Sequence, residues 1–391
     1  MYEIGEEEVQ AVSKVIRSGQ LFRYSNPGTG ECARFESEVR AKFGCAYALA
    51  VNSGTSALVC SLVACDIGPG DEVIVPAFTF MATALAVLAA GAVPVLAEID
   101  ETLTLDPADV ERKITPRTRA IVAVHMLGRP CAMDALLDVA GRHGLRLIED
   151  ACQAVGASYH GHWAGTLGDV GCLSFNQFKI ISAGEGGAVL TNQQACYEKA
   201  VIQHDDGCAF RQHAQQISVP IFTGGNYRIS EVTGAILRAQ LARLDGILER
   251  LRERKRTFDE ALSGSQAFEL APENCPKGQS GMVSVLQLES EDHMRRLVAA
   301  LQHRGIQANA PFDSPGHVYT GWKPVLDQLG AHHPGRNAYC LTGARYEYTR
   351  QSCPVSLNIL SRTMVISINL KERVEGVRRR AETVRRIAES L

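Results

Sequence analysis

One rhythm in this chain limits its possible folds more than any other feature. Short apolar runs, DEVIVP near residue 71, VPVLAEID near 93, AIVAVHML near 120, LRLIED near 145, GCLSF near 171 and GAVLTN near 187, alternate in the first half with helix-like stretches. A run of that kind offers no polar face to water, so both of its faces need cover. The intervening helices supply it, which predicts a mostly parallel, doubly covered sheet. Near 231 the pattern changes to a long amphipathic helix, with Leu237, Leu241, Leu244, Leu248 and Leu251 on one stripe and charges opposite, expected to bridge two domains. LAPENCPKGQS then reads as an irregular link, MVSVLQLES as a strand and EDHMRRLVAALQHRG as a helix ended by glycine. A last helix is expected to turn Val374, Val377, Val384, Ile387 and Leu391 inward and to leave Arg378 to Arg380 as a solvated face.

Composition narrows the partners. A chain of 391 residues, 46% hydrophobic and 21% charged, has room for a large core and a smaller satellite. A net charge of −3 and a pI near 6.4 give no electrostatic reason to expect nucleic acid or an anionic membrane, which leaves small molecules. The twelve cysteines are scattered and include no Cys-x-x-Cys pair, so they read as reduced thiols rather than staples or metal ligands. The start, MYEIGEEEVQAV, is acidic and amphipathic, and no run of about 18 apolar residues occurs, so a soluble cytoplasmic protein is expected.

Four features point to chemistry. LRLIEDACQAVGA ends a strand on Asp150, and ligands of open α/β sheets sit at the carboxyl ends of strands. AVNSGTSALVCSLVA opens a helix through a small polar turn, Asn52 to Ser56, whose free amides suit a phosphate. VPAFTFMATA puts Phe78 and Phe80 at a strand end, where an aromatic face can cover a flat ring. SFNQFKIISAGEGGAVLTN sets a single lysine, Lys179, among glycines 184, 186 and 187, which let the backbone turn tightly. Taken singly, each has a plainer reading: a helix cap, an N-cap, a core phenylalanine. Together they supply an anion cradle, a stacking partner, a carboxylate and an amine, the four parts needed to hold and use pyridoxal 5′-phosphate.

The runs NSGTSAL, VPAFTFMATA, EDACQAVGA, GDVGCLSFNQFK leading into AGEGGAVLTN, and GGNYRISEVTGAILRAQL, in that order over roughly residues 1 to 250, resemble the sugar aminotransferases of the DegT/StrS family, within the fold-type I vitamin B6 enzymes. SGQLFRY and HVYTGWKPVL sit where that family has loops near its substrate. The resemblance implies an aspartate-aminotransferase-like α/β fold: a large domain, residues 1–250, with a mostly parallel seven-stranded sheet, and a small α/β domain, residues 251–391, in a homodimer with shared active sites. It implies Lys179 as the lysine that binds the cofactor, Asp150 as partner of the pyridine nitrogen and Gln153 as neighbour of the ring hydroxyl. Phe80 would be the stacking ring, Gly54, Thr55 and Ser174 the phosphate ligands, and Asn226 a residue reaching the phosphate of the other subunit's cofactor.

The implied reaction moves an amino group from glutamate or glutamine to a keto sugar, usually nucleotide-linked, or to a cyclitol, in amino sugar or antibiotic biosynthesis. No metal is called for. Leu85 departs from the family, whose members commonly carry asparagine there. His317, His332 and His333 lie where the acceptor would be read, although exposed loop histidines are more often bystanders. Two alternatives stand beside this reading. One is a dehydratase on the same scaffold, against which Lys179 and the lack of a cysteine cluster both argue. The other is a non-catalytic protein that only binds the cofactor.

Overall fold

A computed structural model describes residues 2–331 and 333–391. Its centre is a seven-stranded sheet made of β1 (Tyr47–Val51), β2 (Glu72–Pro76), β3 (Val93–Ala97), β4 (Thr118–Val124), β5 (Arg146–Asp150), β6 (Val170–Ser174) and β7 (Gly187–Thr191). In space the order is β1-β7-β6-β5-β4-β2-β3. Neighbours from β6 across to β3 run parallel, whereas β7 is antiparallel to both β6 and β1. All five residues of β2 and of β6 are buried, as runs without alternation require.

Register fixes which residues meet at one edge. Val124 lies opposite Asp150, and Gly187 lies opposite both Ser174 and Val51. The carboxyl ends of the parallel strands therefore open beside the point where β1 ends and β7 begins, which is where the sequence placed its candidates. Helix α1 (Glu6–Ser18), α2 (Glu31–Phe43), α3 (Gly54–Ala64) and α4 (Ala82–Ala89) precede or connect the first strands, and α5 (Pro107–Lys113), α6 (Met133–His143) and α7 (Gln194–His204) follow. The long helix α8 (Glu231–Leu262) buries Leu237, Leu241, Leu244, Leu248 and Leu251, the expected stripe. Residue 250, where the sequence suggested a division, falls within α8.

Beyond α8, β8 (Val283–Gln287) and β9 (Thr363–Ser367) form an antiparallel sheet with the short Glu269–Leu270 strand, and α9 (Glu291–His303) packs beside it. The last helix spans Val374–Ala388 and buries Val377, Val384 and Ile387. Two expectations fail here. Leu391 is exposed because the helix has ended three residues earlier, so its periodicity no longer assigns a face. Arg380 is not merely solvated: it pairs with Glu372 at 2.8 Å and lies over the Phe258 ring at 4.8 Å. The twelve cysteines are unpaired, and all but Cys152 and Cys340 are buried. No described helix is long and apolar enough to cross a membrane.

Strand β5 carries charge into this core. Glu149, fully buried, accepts the amides of Gly165 (2.8 Å), Leu167 (2.6 Å) and Gly168 (2.7 Å) and faces Nε2 of His125 at 2.9 Å. Because Nδ1 of His125 accepts the Cys131 amide, Nε2 carries the hydrogen given to Glu149. Replacing Glu149 by Ala strands three buried amides at once. Glu149→Ala is therefore expected to lower stability by at least about 3 kcal/mol, measured as a fall in the urea midpoint at unchanged slope.

Candidate active site

The polar turn ahead of α3 folds as its composition demands. Ser53, extended, caps the helix by accepting the Ser56 amide at 3.0 Å, and the amides of Gly54 and Thr55, first in the helix, have no acceptor within it. Gly54 is fixed by space. A Cβ on it would meet the Ser174 Cβ at 2.7 Å and the Cys152 Sγ at 2.8 Å. Gly187 is fixed the same way, since a Cβ there would lie 2.4 Å from the Ser53 carbonyl oxygen. Two glycines thus let the start of α3 press against the ends of β6 and β7, leaving its open amides aimed across the edge of the sheet.

The lysine lies in the loop between β6 and β7. The Phe175 amide donates to Gly186, Gln177 to Gly184, and Lys179 to Asn176, while Ala183 returns to the Phe175 carbonyl. Helix α8 backs this loop: Gln240, buried, accepts the Ser182 amide at 3.1 Å and donates to Glu8 of α1 at 2.8 Å. Lys179 itself is half-buried and lines one cavity with Gly54, Thr55, Phe80, Asp150, Gln153 and Ser174. Seven of the eight residues singled out in the sequence therefore converge. Of the two phenylalanines in VPAFTFMATA, Phe78 is core, while Phe80, about half exposed, faces the cavity.

Asp150 is 4% exposed, yet among the described residues no lysine, arginine or histidine pairs with it. Its Oδ2 accepts from the Thr83 hydroxyl at 2.8 Å and its Oδ1 from the Cys152 amide at 3.1 Å. A buried carboxylate without a cation is costly, which makes the position favourable for a ligand that brings one. Pyridoxal phosphate presents a protonated ring nitrogen at one end and a phosphate at the other, matching Asp150 and the start of α3. The residues present fit the group.

Asn226 is not among the cavity residues. It is exposed, on a bridge with Asp205. Leu85 is half-buried against the core. Of the three histidines in the C-terminal half, His332 lies outside the described residues, and His333 is exposed, its Nδ1 accepting the Gly335 amide. His317 is tied to the segment that carries Phe80. Its carbonyl accepts the Thr79 amide at 2.9 Å, the Gly316 carbonyl accepts the Met81 amide at 2.8 Å, and its ring lies 5.4 Å from that of Phe80. Burial, and after it the nearby Lys179 charge, push its pKa below the ordinary value. Only the fold makes this visible, since Phe80 and His317 are far apart in the chain.

The family model for the DegT/DnrJ/EryC1/StrS aminotransferases matches residues 2–340. The erythromycin biosynthesis sensory transduction protein EryC1 of Saccharopolyspora erythraea is 38% identical over 324 residues, 82% of this chain and 83% of its own. UDP-N-acetyl-3-dehydro-alpha-D-glucosamine 3-aminotransferase of Acidithiobacillus ferrooxidans is 33% identical over 385 residues, 97% of this chain and 94% of its own. The crystal structure of 3-amino-5-hydroxybenzoic acid synthase superposes with a TM-score of 0.82 at 29% identity, covering 100% of this chain and 98% of that one.

The contacts of Gly54 lead to a test. In Gly54→Ala the new methyl group must push Ser174 and Cys152 aside. The protein is expected to fold and to bind pyridoxal phosphate at least about tenfold more weakly in equilibrium dialysis, and undiminished binding would remove Gly54 from the cradle.

Proposed function

The chain belongs to the DegT/DnrJ/EryC1/StrS aminotransferase family, and from that premise we propose that it is a pyridoxal phosphate-dependent transaminase for a keto sugar or cyclitol in amino sugar or antibiotic biosynthesis. The observation that carries the proposal is the convergence, in one cavity, of an amine on Lys179, a cation-less carboxylate on Asp150 and the open amides of α3. When bound, pyridoxal phosphate supplies an aldehyde that exchanges amino groups and a ring that withdraws electrons.

The chain's own residues do the rest. Gly54, Thr55 and Ser174 would hold the phosphate, Phe80 would cover one face of the ring, and Gln153 would neighbour its hydroxyl. Asp150 holds the proton on the ring nitrogen, because a carboxylate accepts that hydrogen bond far more strongly than a neutral group. Lys179 would anchor the cofactor through Nζ, and the same amine, when free, would take the proton from the donor's α-carbon. Glutamate or glutamine is the donor proposed. The relative from Acidithiobacillus is named for a nucleotide-linked keto sugar and the synthase for a carbocyclic product, which supports an acceptor ketone on a ring.

A homodimer in the cytoplasm is proposed as the working form, with Asn226 reaching the phosphate of the other subunit's cofactor. Exposed Phe178 and Phe210 supply apolar surface for a second copy to cover. Pyridine-nucleotide or metal chemistry forms no part of this reading.

Two experiments test the proposal. Borohydride treatment of the loaded protein should fix cofactor on Lys179, seen as a mass shift of its peptide, and glutamate or glutamine should discharge the chromophore until a keto sugar or cyclitol restores it. Lys179→Ala should lose both responses, and a variant that keeps full transfer would end the assignment. Mixing Lys179→Ala with Asn226→Asp under subunit exchange should restore about a quarter of wild-type activity, since half of randomly formed dimers carry one intact site of two. No recovery, with exchange confirmed by pull-down, would assign Asn226 to its own chain.

A further inference from the structure

Asp150 is held by one hydroxyl that a second one backs, both on threonines of the VPAFTFMATA run in which only the phenylalanines drew notice. Thr79, at the exit of β2, and Thr83, in the first turn of α4, are both buried and both line the cavity. Their hydroxyls lie 2.8 Å apart, and Thr83 continues the chain to Oδ2 of Asp150 at 2.8 Å. The amide of Cys152 fixes the other carboxylate oxygen at 3.1 Å, so the plane of the carboxylate is set from two sides.

A chain of hydroxyls has a direction, and here the two directions are unequal. In one, Thr79 donates to Thr83 and Thr83 donates to Asp150, ending on an ionised acceptor in a charge-assisted bond. In the other, a protonated Asp150 donates to Thr83, Thr83 to Thr79, and Thr79 to the Phe80 carbonyl, which is 3.4 Å away, at the long limit of a hydrogen bond. The first direction is favoured. The remaining groups facing Asp150 do not oppose it: the Cys152 and Cys172 thiols are held neutral by burial.

We infer that Thr83, backed by Thr79, is a positioning residue that keeps Asp150 an aligned acceptor for the ring nitrogen of the cofactor. This rests on the reading of Asp150 given under the proposed function. Thr83 does not touch the reacting atoms. Its effect reaches them through the proton shared between Asp150 and the ring.

The test loads the protein with pyridoxal phosphate labelled with ¹⁵N in the ring and reads the ring-nitrogen resonance, together with kcat and KM for the amino donor. Thr83→Val, which keeps the shape and removes the donor, should move the resonance toward that of unprotonated pyridine. It should lower kcat about tenfold with KM within about twofold, and Thr83→Ser should restore both. Thr79→Val should move the resonance the same way by a smaller amount. A merely structural role would lower thermal stability or cofactor occupancy and leave the resonance in place, and that result overturns the inference. Asp150→Asn separates the two layers. If it moves the resonance and Thr83→Val does not, the role of Thr83 is wrong and that of Asp150 stands. If Asp150→Asn also leaves the resonance and rate unchanged, the reading of Asp150 itself fails. Should Thr83→Val not fold, Thr79→Val decides, since it leaves α4 intact, and an unmoved resonance there is equally fatal.

Discussion

Strand β5 is buried on both faces and nevertheless ends on two carboxylates, Glu149 and Asp150, one to each face. The two are treated differently, and the architecture of the site follows from that difference. Glu149 has its oxygens filled by three amides and a histidine and anchors the strand within the core. Asp150 receives one hydroxyl and one amide and no cation among the described residues, so it stays poised for a positively charged ligand. A single step along one strand separates an acid whose hydrogen bonds are filled from one left open to the cavity.

Around that acid, backbone geometry contributes as much as side chains. The register that sets Gly187 against both Ser174 and Val51 brings three strand ends together, and the absence of a Cβ at positions 54 and 187 lets α3 settle over them. Lys179 then needs only a short loop to reach the same space, and α8 steadies that loop through Gln240. The long helix thus serves the chemistry as well as linking the two sheets.

How much was legible in the sequence depended on how local each signal is. The strands, the α8 stripe, Asp150 at a strand end, the Ser53 cap and Lys179 among glycines are all written within a few neighbouring residues, and the fold assembled them as read. Thr83 gave no signal, because its partner Asp150 lies three strands later in the chain. Gln240 looked like one polar residue on a helix, and its two bonds to distant segments exist only after packing. His317 read as a loop histidine because nothing in its own stretch indicates that it will sit against Phe80. Leu391 erred the opposite way: its period was right, but the helix stopped before reaching it.

The pairing of residues 316–319 with residues 77–81 bears on how the protein is made. The cradle, the lysine and the carboxylate all emerge from the ribosome with the first half of the chain, whereas the strip that braces Phe80 is synthesised far later. Contacts so distant in sequence form slowly, because the intervening loop must close first. The groups that carry the chemistry are therefore made well before the residues that complete one wall of their chamber.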